Sequence, residues 1–528
     1  AVKLERNIQP LSDDYIKFIR FAHWKMEKVE RGVIGIITNN SFIDGLIHRG
    51  MRQELMKDFD EIYILNLHGN LRINEKCPDG SKDENVFDIK PGVCISFFIK
   101  KSINDNKQPK VFYQDIYGLR KVKYSILLEQ DIKSINWLKI KPLLENYYFV
   151  FKNFKLLSDY ERGKTITDIF KNISSGIKFR KDNLLVNKHF TKKSVLKMLK
   201  DINTLDKSQV IKKYEFSETN DWKFDEKKKY FIKNDELNVQ KVLYRPFDIR
   251  FTYYPLESIS KIIPRGDSRI TFMKYMLKGN TALCIGRQWS VVGSKTYDIF
   301  MVASLITDMN LFRRGGFAFF PLYINTENGN GSGNGNGNDF LFKEDGKRDN
   351  FTKDFRHFIK SKYQNLYTPE QILGYIYAVL HSPTYRTKYI EFLKIDFPRI
   401  PFSDNENKFQ ELSKIGEKLI NAHLLKEIPT EITCPLLGGG NNFKVEAINF
   451  DKGKVWFNNE RYFDNVPEDV WKFFIGGYQV LDKWLKERKK HEIILETKDW
   501  RHFQNIINII TFTIKTMQRI DELTKDWI

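Results

Sequence analysis

Arginines that stand among aromatic residues and glycines have the clearest potential for chemistry in this chain. They lie in the segments YRPFDIRF (244–251), PRGDSR (264–269), GRQW (286–289) and FRRGG (312–316). Arginine can bond guanine or phosphate bidentately and glutamine can bond adenine, so these segments suit contacts with DNA. The candidate DNA-binding residues are Arg245, Arg250, Arg265, Arg269, Arg287, Gln288, Trp289, Arg313 and Arg314. Ordinary ion pairs are the alternative, above all for Arg245 between Tyr244 and Pro246.

Two amides, Asn39 and Asn40, come directly after the apolar run VIGIIT (33–38). Such a run predicts a short strand that is buried on both faces of a parallel sheet. Because these sheets bind ligands beyond the carboxyl ends of their strands, we expect both amides near a pocket, in contact with a base or the DNA backbone. Turn formation, which asparagine favours, is the alternative.

The loop at 68–85 is the next long polar segment. Its polar residues either position DNA or order the loop itself, and they include His68, Asn70, Asp79, Lys82 and Asp83.

The charge balance indicates a polyanionic partner. Lys and Arg number 87 and Asp and Glu number 67, which gives a formal net charge of +20 over 528 residues. Nucleic acid and an anionic membrane surface are the two usual partners of so basic a chain. No stretch of about 18 apolar residues and no signal pattern occurs, which disfavours the membrane. We therefore expect a soluble, cytoplasmic protein that binds double-stranded DNA and no membrane, with phosphate contacts from the lysines of 152–233.

Several classes of function lack their signatures. The four cysteines form no CxxC pair and the nine histidines show no HxxxH or HExxH spacing, so we expect no metal site. The segment GRQWSVVGSK (286–295) departs from the phosphate-binding pattern GxxxxGK[ST], and no GxGxxG follows a strand. The sequence therefore predicts neither a nucleotide hydrolase nor a dinucleotide-binding enzyme.

The elements that must position these residues follow from hydrophobic periodicity. A helix is predicted from Tyr15 towards Gly32, then strands at 33–38, 61–67 and 92–100 with a helix at 48–58 between them, which is an α/β pattern. Mixed short strands and helices follow from about 111 to 430, including a strong helix at 368–382. A hairpin at 443–463 and a helical pair at 467–490 and 498–524 end the chain.

A family resemblance becomes visible within 11–101. The segments that carry it stand in the order LSDDYIKFIRFAHWKME, GVIGIITNNSFIDGLIHRGMRQELMKDFDEIYILNLHGN and PDGSKDENVFDIKPGVCISFFIKK. They resemble the second half of the catalytic domain of an adenine-specific DNA methyltransferase, of the kind fused to a helicase and nuclease in Type ISP restriction-modification enzymes. Later segments resemble the specificity part that follows it, namely YRPFDIRF (244–251), FPLYI (320–324), YRTKYIEFLKIDFPRIPF (385–402) and VWKFFIGGYQVLDKWLKERK (470–489).

The resemblance implies an α/β fold in three parts. Residues 1–110 would form the C-terminal half of a class I, Rossmann-like methyltransferase sheet. Residues 111–430 would form an α+β target-recognition domain, and 431–528 its C-terminal extension with the helical pair.

The resemblance also implies a reaction, in which S-adenosylmethionine donates a methyl group to the exocyclic amine of a flipped adenine. The family's glycine-rich cofactor loop and [DN]PP[YF] tetrapeptide are missing here, and the chain has no Pro-Pro dipeptide. We therefore expect upstream residues to bind the cofactor, no complete catalytic set in this chain, and no methylation by this segment alone. The implied partners are DNA, the upstream methyltransferase half, and helicase and nuclease domains of the same polypeptide.

Phe87, in ENVFDIKPGV, occupies the position where related adenine methyltransferases carry a side chain that stacks on the flipped base. An aromatic plane can replace part of the stacking that an extruded base loses. A core phenylalanine beside a buried strand is the alternative in a chain with 42 Phe residues.

One other function stays open on the sequence alone: a non-catalytic DNA-specificity protein that acts with separate modification or cleavage subunits. It explains the missing motifs, but it leaves the α/β segment at 1–101 without a purpose. That segment would expose a hydrophobic sheet edge by itself, so we predict that residues 1–101 are poorly stable alone.

Overall fold

The computed structural model describes most of the chain. The described residues are 8–72, 75–101, 109–142, 146–152, 155–263, 267–287, 296–312, 316–325, 343–344 and 347–528. They form two compact units, Ala1–Lys155 and Leu156–Ile528.

The first unit is built on a five-stranded sheet. Its strands are β1 (Gly32–Asn39), β2 (Glu61–His68), β3 (Val93–Lys100), β4 (Lys110–Asp115) and β5 (Leu138–Ile140). They lie in the order β1-β3-β2-β4-β5. Strand β3 is antiparallel to both β1 and β2, and β4 is parallel to β2. Strands β1, β2 and β4 therefore point the same way and end at the same edge of the sheet.

Helices cover the two faces of this sheet. They are α1 (Asp14–Met26), α2 (Ser41–Asp44), α3 (Arg49–Asp58) and α4 (Arg120–Glu129), with 3₁₀ turns at Gln9–Ser12 and Leu46–His48. Residues of α1 and α3 form one core with Ile62 and Ile64. On the opposite face, Ile126 and Leu127 of α4 pack against a second core that contains Leu65 and Leu67. The alternation along β2 thus gives each face its own core.

The sequence predicted the positions of β1, β2, β3 and α3 within a residue or two, and the structure confirms them. Two expectations were wrong. Helix α1 ends at Met26 and does not reach Gly32. Strand β1 is an edge strand with one open face, where Val33 and Ile37 are 63% and 53% exposed, and its neighbour is antiparallel. An apolar run does not distinguish a doubly buried strand from such an edge.

The second unit contains several small sheets. Its strands are β6 (Lys164–Thr165), β7 (Ser174–Ser175), β8 (Val239–Arg245), β9 (Asp248–Tyr253), β10 (Ala282–Ile285), β11 (Phe300–Ala303), β12 (Ile306–Thr307), β13 (Ala318–Pro321), β14 (Tyr323–Asn325), β15 (Lys343–Glu344), β16 (Lys347–Asp349), β17 (Arg399–Ile400), β18 (Leu436–Gly438), β19 (Asn449–Asp451), β20 (Lys454–Trp456), β21 (Arg461–Phe463), β22 (Phe474–Ile475) and β23 (Tyr478–Gln479). The larger sheets have the orders β11-β10-β13-β7, β12-β8-β9, β14-β16-β15 and β18-β21-β20-β19. The predicted hairpin at 443–463 lies within the last of these.

Helices supply much of the remaining core of the second unit. They are α5 (Leu157–Tyr160), α6 (Ile166–Ile169), α7 (Asp182–Leu185), α8 (Lys192–Thr204), α9 (Lys207–Tyr214), α10 (Phe224–Lys228), α11 (Ile259–Ile262), α12 (Asp267–Met276), α13 (Lys353–Tyr363), α14 (Pro369–His381), α15 (Pro383–Lys388), α16 (Ile390–Leu393), α17 (Glu406–His423), α18 (Glu468–Trp471), α19 (Val480–Lys490) and α20 (Thr497–Thr524).

Helix α14 confirms the helix predicted at 368–382. It is buried along nearly its whole length and packs closely on α17. A Cβ at Gly416 would lie 1.8 Å from the carbonyl oxygen of Gly374. The two glycines therefore allow the helix backbones to touch.

The division of the chain differs from the predicted one. Strands β4 and β5 and helix α4 belong to the first unit, which ends at Lys155 and not near 110. Periodicity could not show this, because β4 joins the sheet through pairing with β2, far away in sequence. Among the described residues, no helix combines the length and the apolar character that crossing a membrane requires.

Candidate functional site

Polar side chains form a connected network at the sheet edge where β1, β2 and β4 end. Asn40 donates from Nδ2 to Oδ1 of Asn66 over 3.0 Å, and Asn66 donates to the hydroxyl of Tyr113 over 3.1 Å. The Tyr113 hydroxyl in turn donates to Asp115. We call these four residues, with His68, Glu75 and Tyr117, the edge network. It joins the ends of three strands in one chain of hydrogen bonds.

His68 is the centre of the edge network. Its backbone has φ of +52°, a conformation that is uncommon for a residue with a side chain. Nδ1 lies 2.8 Å from Oε1 of Glu75, Nε2 lies 2.6 Å from Oδ1 of Asp115, and the ring stacks on Tyr117 with centroids 3.8 Å apart. Burial opposes the charged ring, but the two carboxylates raise the pKa of His68 to about 9. The histidine is therefore an imidazolium near neutral pH, held between two acids.

The loop after β2 is fixed to the fold by Asp83. Its carboxylate accepts from the backbone N–H of Gly69 at 2.6 Å and of Gly118 at 2.8 Å. It also pairs with Lys123 at 2.8 Å, and both side chains are fully enclosed. Asp79 accepts from the N–H and hydroxyl of Ser81. Both acids thus order the loop, which is one of the two roles that the sequence left open for them.

Phe87 lies on the segment that follows this loop, and its side chain is 45% exposed. Its neighbours Asn85 and Val86 are buried. Asn85 accepts from the N–H of Phe87 at 2.9 Å and donates to the carbonyl of Pro91 at 2.7 Å. Phe87 is therefore not a core phenylalanine, and it presents its ring to solvent from an anchored backbone.

Asn39 and Asn40 have different positions. Asn39 accepts from the N–H and hydroxyl of Ser41 at 2.9 and 2.7 Å, which is the turn-forming role named as the alternative. Asn40 instead joins the edge network, and a Cβ at Gly92 would come within 2.7 Å of its Nδ2. Both residues lie at the end of β1, but only the side chain of Asn40 joins the edge network.

Arg250 is fully buried in the second unit. Its Nη2 lies 2.8 Å from Asp248 and 3.3 Å from Glu487, and its guanidinium lies 3.7 Å from the ring centre of Phe190. Burial opposes ionisation of Asp248, but Arg250 and Arg488 hold the pKa of its carboxyl well below the usual range. The DNA contact predicted for Arg250 is not made from this conformation, because its donors point to partners inside the fold.

Arg245 is also largely buried and has a structural partner. Its Nη1 lies 2.8 Å from Oδ1 of Asp308, and its guanidinium lies 3.9 Å from the ring centre of Tyr244. The ion pair that the sequence named as the alternative is thus the observed contact.

Among the other predicted DNA-binding residues, the structure describes the side chain of Arg287. Arg287 is exposed and pairs with Asp396, with 2.6 Å between Nε and Oδ1. Arg269 lies on α12, and its side chain is outside the described residues. Outside them altogether lie Arg265, Gln288, Trp289, Arg313 and Arg314. A DNA contact by these residues stays a prediction.

Sequence reasoning missed the partners that complete the site. Asp115 and Tyr113 belong to the edge network, and Arg120, Lys123 and Tyr124 contact the segment before Phe87. Asp115 is the last residue of β4, so the strand-end rule that selected Asn39 and Asn40 applies to it as well. Strand β4 was not among the predicted strands. The contacts of α4 had no local signal, because they join residues more than thirty positions apart.

His23, Glu27 and Asp58 place three ligand atoms within 4.8 Å of one another. His23 pairs with Asp58 at 2.5 Å and Glu27 with Arg20 at 2.6 Å, so these side chains already have protein partners.

Gly69 directly follows β2, the place where a cofactor loop would begin. A Cβ there would lie 2.4 Å from Cα of Asn85, so Gly69 faces the Phe87 segment and not an open site for S-adenosylmethionine.

One family model matches most of this chain. A family model for the Type ISP C-terminal specificity domain matches residues 168–519. A search of the curated proteins found no match.

Three solved structures share the fold. The chain resembles the ATP-dependent Type ISP restriction-modification enzyme LlaBIII bound to DNA, with 24% identity, a TM-score of 0.70, and coverage of 99% of this chain and 34% of that chain. It resembles DrdV in a cryo-EM structure with DNA, with 20% identity, a TM-score of 0.71, and coverage of 99% and 53%. It also resembles a nuclease-deletion mutant of the Type ISP enzyme LlaGI in complex with a DNA substrate mimic, with 20% identity, a TM-score of 0.69, and coverage of 99% and 41%.

This chain spans about a third to a half of the length of those three proteins. The family model, by contrast, matches well over half of this chain and lies within the second unit. The chain therefore belongs to the Type ISP family and contains its C-terminal specificity domain.

Proposed function

We propose that this chain is part of a site-specific adenine DNA methyltransferase in a restriction-modification enzyme. The second unit reads the DNA sequence, and the first unit supplies one wall of the pocket for a flipped adenine. The match to the specificity domain over 168–519 is the observation that carries the proposal. The three similar structures contain DNA or a DNA substrate mimic, which supports the same partner here.

The charge of the chain supports DNA as the partner. A net charge of +20 favours phosphate contacts that give affinity and salt dependence without sequence information. Sequence reading then needs side chains that reach base edges. Among the arginines predicted for that role, Arg287 is exposed on the second unit, whereas Arg245 and Arg250 hold the fold together.

The first unit supports the pocket through Phe87 and Asn40. Three strands end at one edge, which is where α/β sheets bind ligands. Phe87 offers an exposed ring for stacking on an extruded base, and Asn40 places an amide at the edge itself.

The methyl donor would be S-adenosylmethionine, bound by residues other than those described here. In this proposal the chain holds the target base and does not transfer the methyl group. Stacking by Phe87 and hydrogen bonding by Asn40 would hold the base in place while other residues carry out the transfer. The chain by itself is therefore expected to be inactive.

A methyl-transfer assay tests this proposal. The chain is incubated with labelled S-adenosylmethionine and duplex DNA, alone and as part of the full polypeptide that its reading frame encodes. We expect no transfer by the chain alone, and N6-methyladenine in DNA treated with the full polypeptide. Methylation by the chain alone, or methylation of cytosine by the full polypeptide, would overturn the proposal.

A non-catalytic specificity protein is the second candidate. It is favoured by one observation, that the family match lies in the second unit and leaves the first unit outside it. In that case the chain binds its DNA site, and the full polypeptide transfers no methyl group from S-adenosylmethionine to the duplex DNA.

A further inference from the structure

We propose that the first two turns of α4 act as a clamp that positions the Phe87 ring, with Arg120, Lys123 and Tyr124 as positioning residues. The inference rests on the proposed function of Phe87 in the base pocket. It adds three residues that the sequence did not single out.

The clamp binds four consecutive backbone carbonyls. Lys123 Nζ donates to the carbonyl of Glu84 at 2.7 Å, and Arg120 Nε donates to that of Asn85 at 2.8 Å. The Tyr124 hydroxyl donates to the carbonyl of Val86 at 2.5 Å, and Arg120 Nη2 donates to that of Phe87 at 3.1 Å. Each carbonyl from 84 to 87 thus has a side-chain donor from the same helix.

Lys123 anchors the clamp to the sheet. Besides Glu84, its ammonium group contacts the carbonyl of Leu67 at 2.6 Å and the carboxylate of Asp83 at 2.8 Å. An ammonium group has three N–H donors, and these three partners account for all of them. Leu67 lies in β2, so the position of the Phe87 segment is tied to the strand that leads into the edge network.

Asn85 completes the restraint from the loop side. Its Nδ2 bonds the carbonyls of Gly69 and Pro91, and its Oδ1 accepts from the N–H of Phe87. Both backbone polar groups of Phe87 are therefore bonded, while its ring stays 45% exposed. In a surface loop, water can bond the backbone carbonyls without ordering any side chain. Here side chains of the protein bond these groups instead.

The physical consequence is preorganisation. A ring that must stack on an extruded base contributes most when its backbone is already in the bound position, because ordering it at the moment of binding costs conformational entropy. The clamp meets this requirement by fixing the backbone from Glu84 to Phe87.

The test compares two duplexes that differ only at the target base. Both duplexes carry the site that the full polypeptide selects from random DNA. At the methylated position, one duplex has adenine and the other has an abasic residue. In both duplexes the opposite strand has an abasic residue at that position. The ratio of the two dissociation constants reports contact with the target base. A purely structural defect weakens binding to both duplexes equally and leaves this ratio unchanged.

Four variants are measured in the full polypeptide. Phe87→Ala should abolish the preference for adenine. Tyr124→Phe should reduce it by about fivefold, the effect expected for one lost hydrogen bond. Arg120→Ala loses the bonds to the carbonyls of both Asn85 and Phe87 and should reduce it further. Tyr63→Phe is the matched control, because its hydroxyl bonds Glu61 on β2 and should leave the ratio unchanged.

The outcomes separate the two proposals. If Phe87→Ala keeps the preference for adenine, the pocket function of Phe87 and the clamp both fail. If Phe87→Ala loses the preference while Tyr124→Phe and Arg120→Ala retain it, the clamp alone is overturned. Tyr124→Phe removes only a hydroxyl, so its result does not depend on whether a larger truncation disturbs folding.

Discussion

Two arginines that the sequence places in similar aromatic segments differ in burial: Arg250 is enclosed and Arg287 is exposed. Arg250 lies in a closed cluster with Asp248, Glu487 and Arg488, whereas Arg287 pairs with Asp396 where both side chains are at least half exposed. The sequence could show that both residues suit DNA, because guanidinium chemistry is the same in both. It could not show the carboxylates that enclose Arg250, since Glu487 is 237 positions away.

Replacing Arg250 should therefore destabilise the fold. Arg250→Ala removes one of the two guanidinium groups that pair with the buried Asp248, and we expect the free energy of unfolding to fall by about 3–5 kcal/mol. Arg287→Ala is the control and should change it by less than about 0.5 kcal/mol. Urea denaturation of the 528-residue chain measures both. Equal stability of the two variants would refute the structural role of Arg250.

His68 should make stability depend on pH in a definite direction. Its pKa is raised to about 9 in the folded protein, above the value of about 6.5 for an unfolded chain. The folded state therefore binds the proton more tightly, so the stabilisation is complete below pH 6.5 and is lost as pH rises through 9.

The matched variant is His68→Gln, which keeps hydrogen-bonding groups but no charge. The difference in unfolding free energy between wild type and variant should be on the order of 3 kcal/mol near pH 6 and should shrink towards pH 9.5. Denaturant titrations at several pH values measure it. A difference that stays constant across this range would contradict the charged state of His68.

At the scale of elements, the sequence predicted the positions of helices and strands better than the order and direction of the strands in the sheet. Hydrophobic runs predicted β1, β2, β3 and α14 close to their observed bounds, because these signals are local. The antiparallel insertion of β3 between β1 and β2, and the addition of β4, depend on pairing between distant segments. The same limit applies to the candidate site. The strand-end rule placed Asn40 at the sheet edge, where it lies, and its contact with a base stays a prediction. The contacts of α4 with the Phe87 segment are non-local and had no signal in the sequence.

The contact between α14 and α17 gives a prediction at this scale. In an isolated helix, Gly416→Ala would be favourable by about 1 kcal/mol. Here the added Cβ would meet the Gly374 carbonyl oxygen at 1.8 Å, so the helices must separate, and we expect a net loss of about 1–2 kcal/mol. Thermal unfolding compared with Lys418→Ala, an exposed position on the same helix, checks it. A more stable Gly416→Ala variant would show that the helices pack less closely.

At the scale of the whole molecule, the net charge and the family match are the two observations that bear on the proposed partner. The net charge of +20 indicates a polyanionic partner. The match over 168–519 identifies a Type ISP C-terminal specificity domain. Composition alone could not distinguish sequence-specific binding from general attraction to phosphate, because both respond to the same charges.

Selection from a pool of random duplexes is the most direct test of the central claim, that this chain reads a DNA sequence. The 528-residue chain is incubated with the pool at about 0.15 M salt, where non-specific phosphate binding is weak, and the bound duplexes are sequenced. We predict that one sequence containing an adenine is enriched over successive rounds. A bound pool with the same sequence composition as the input would contradict the account.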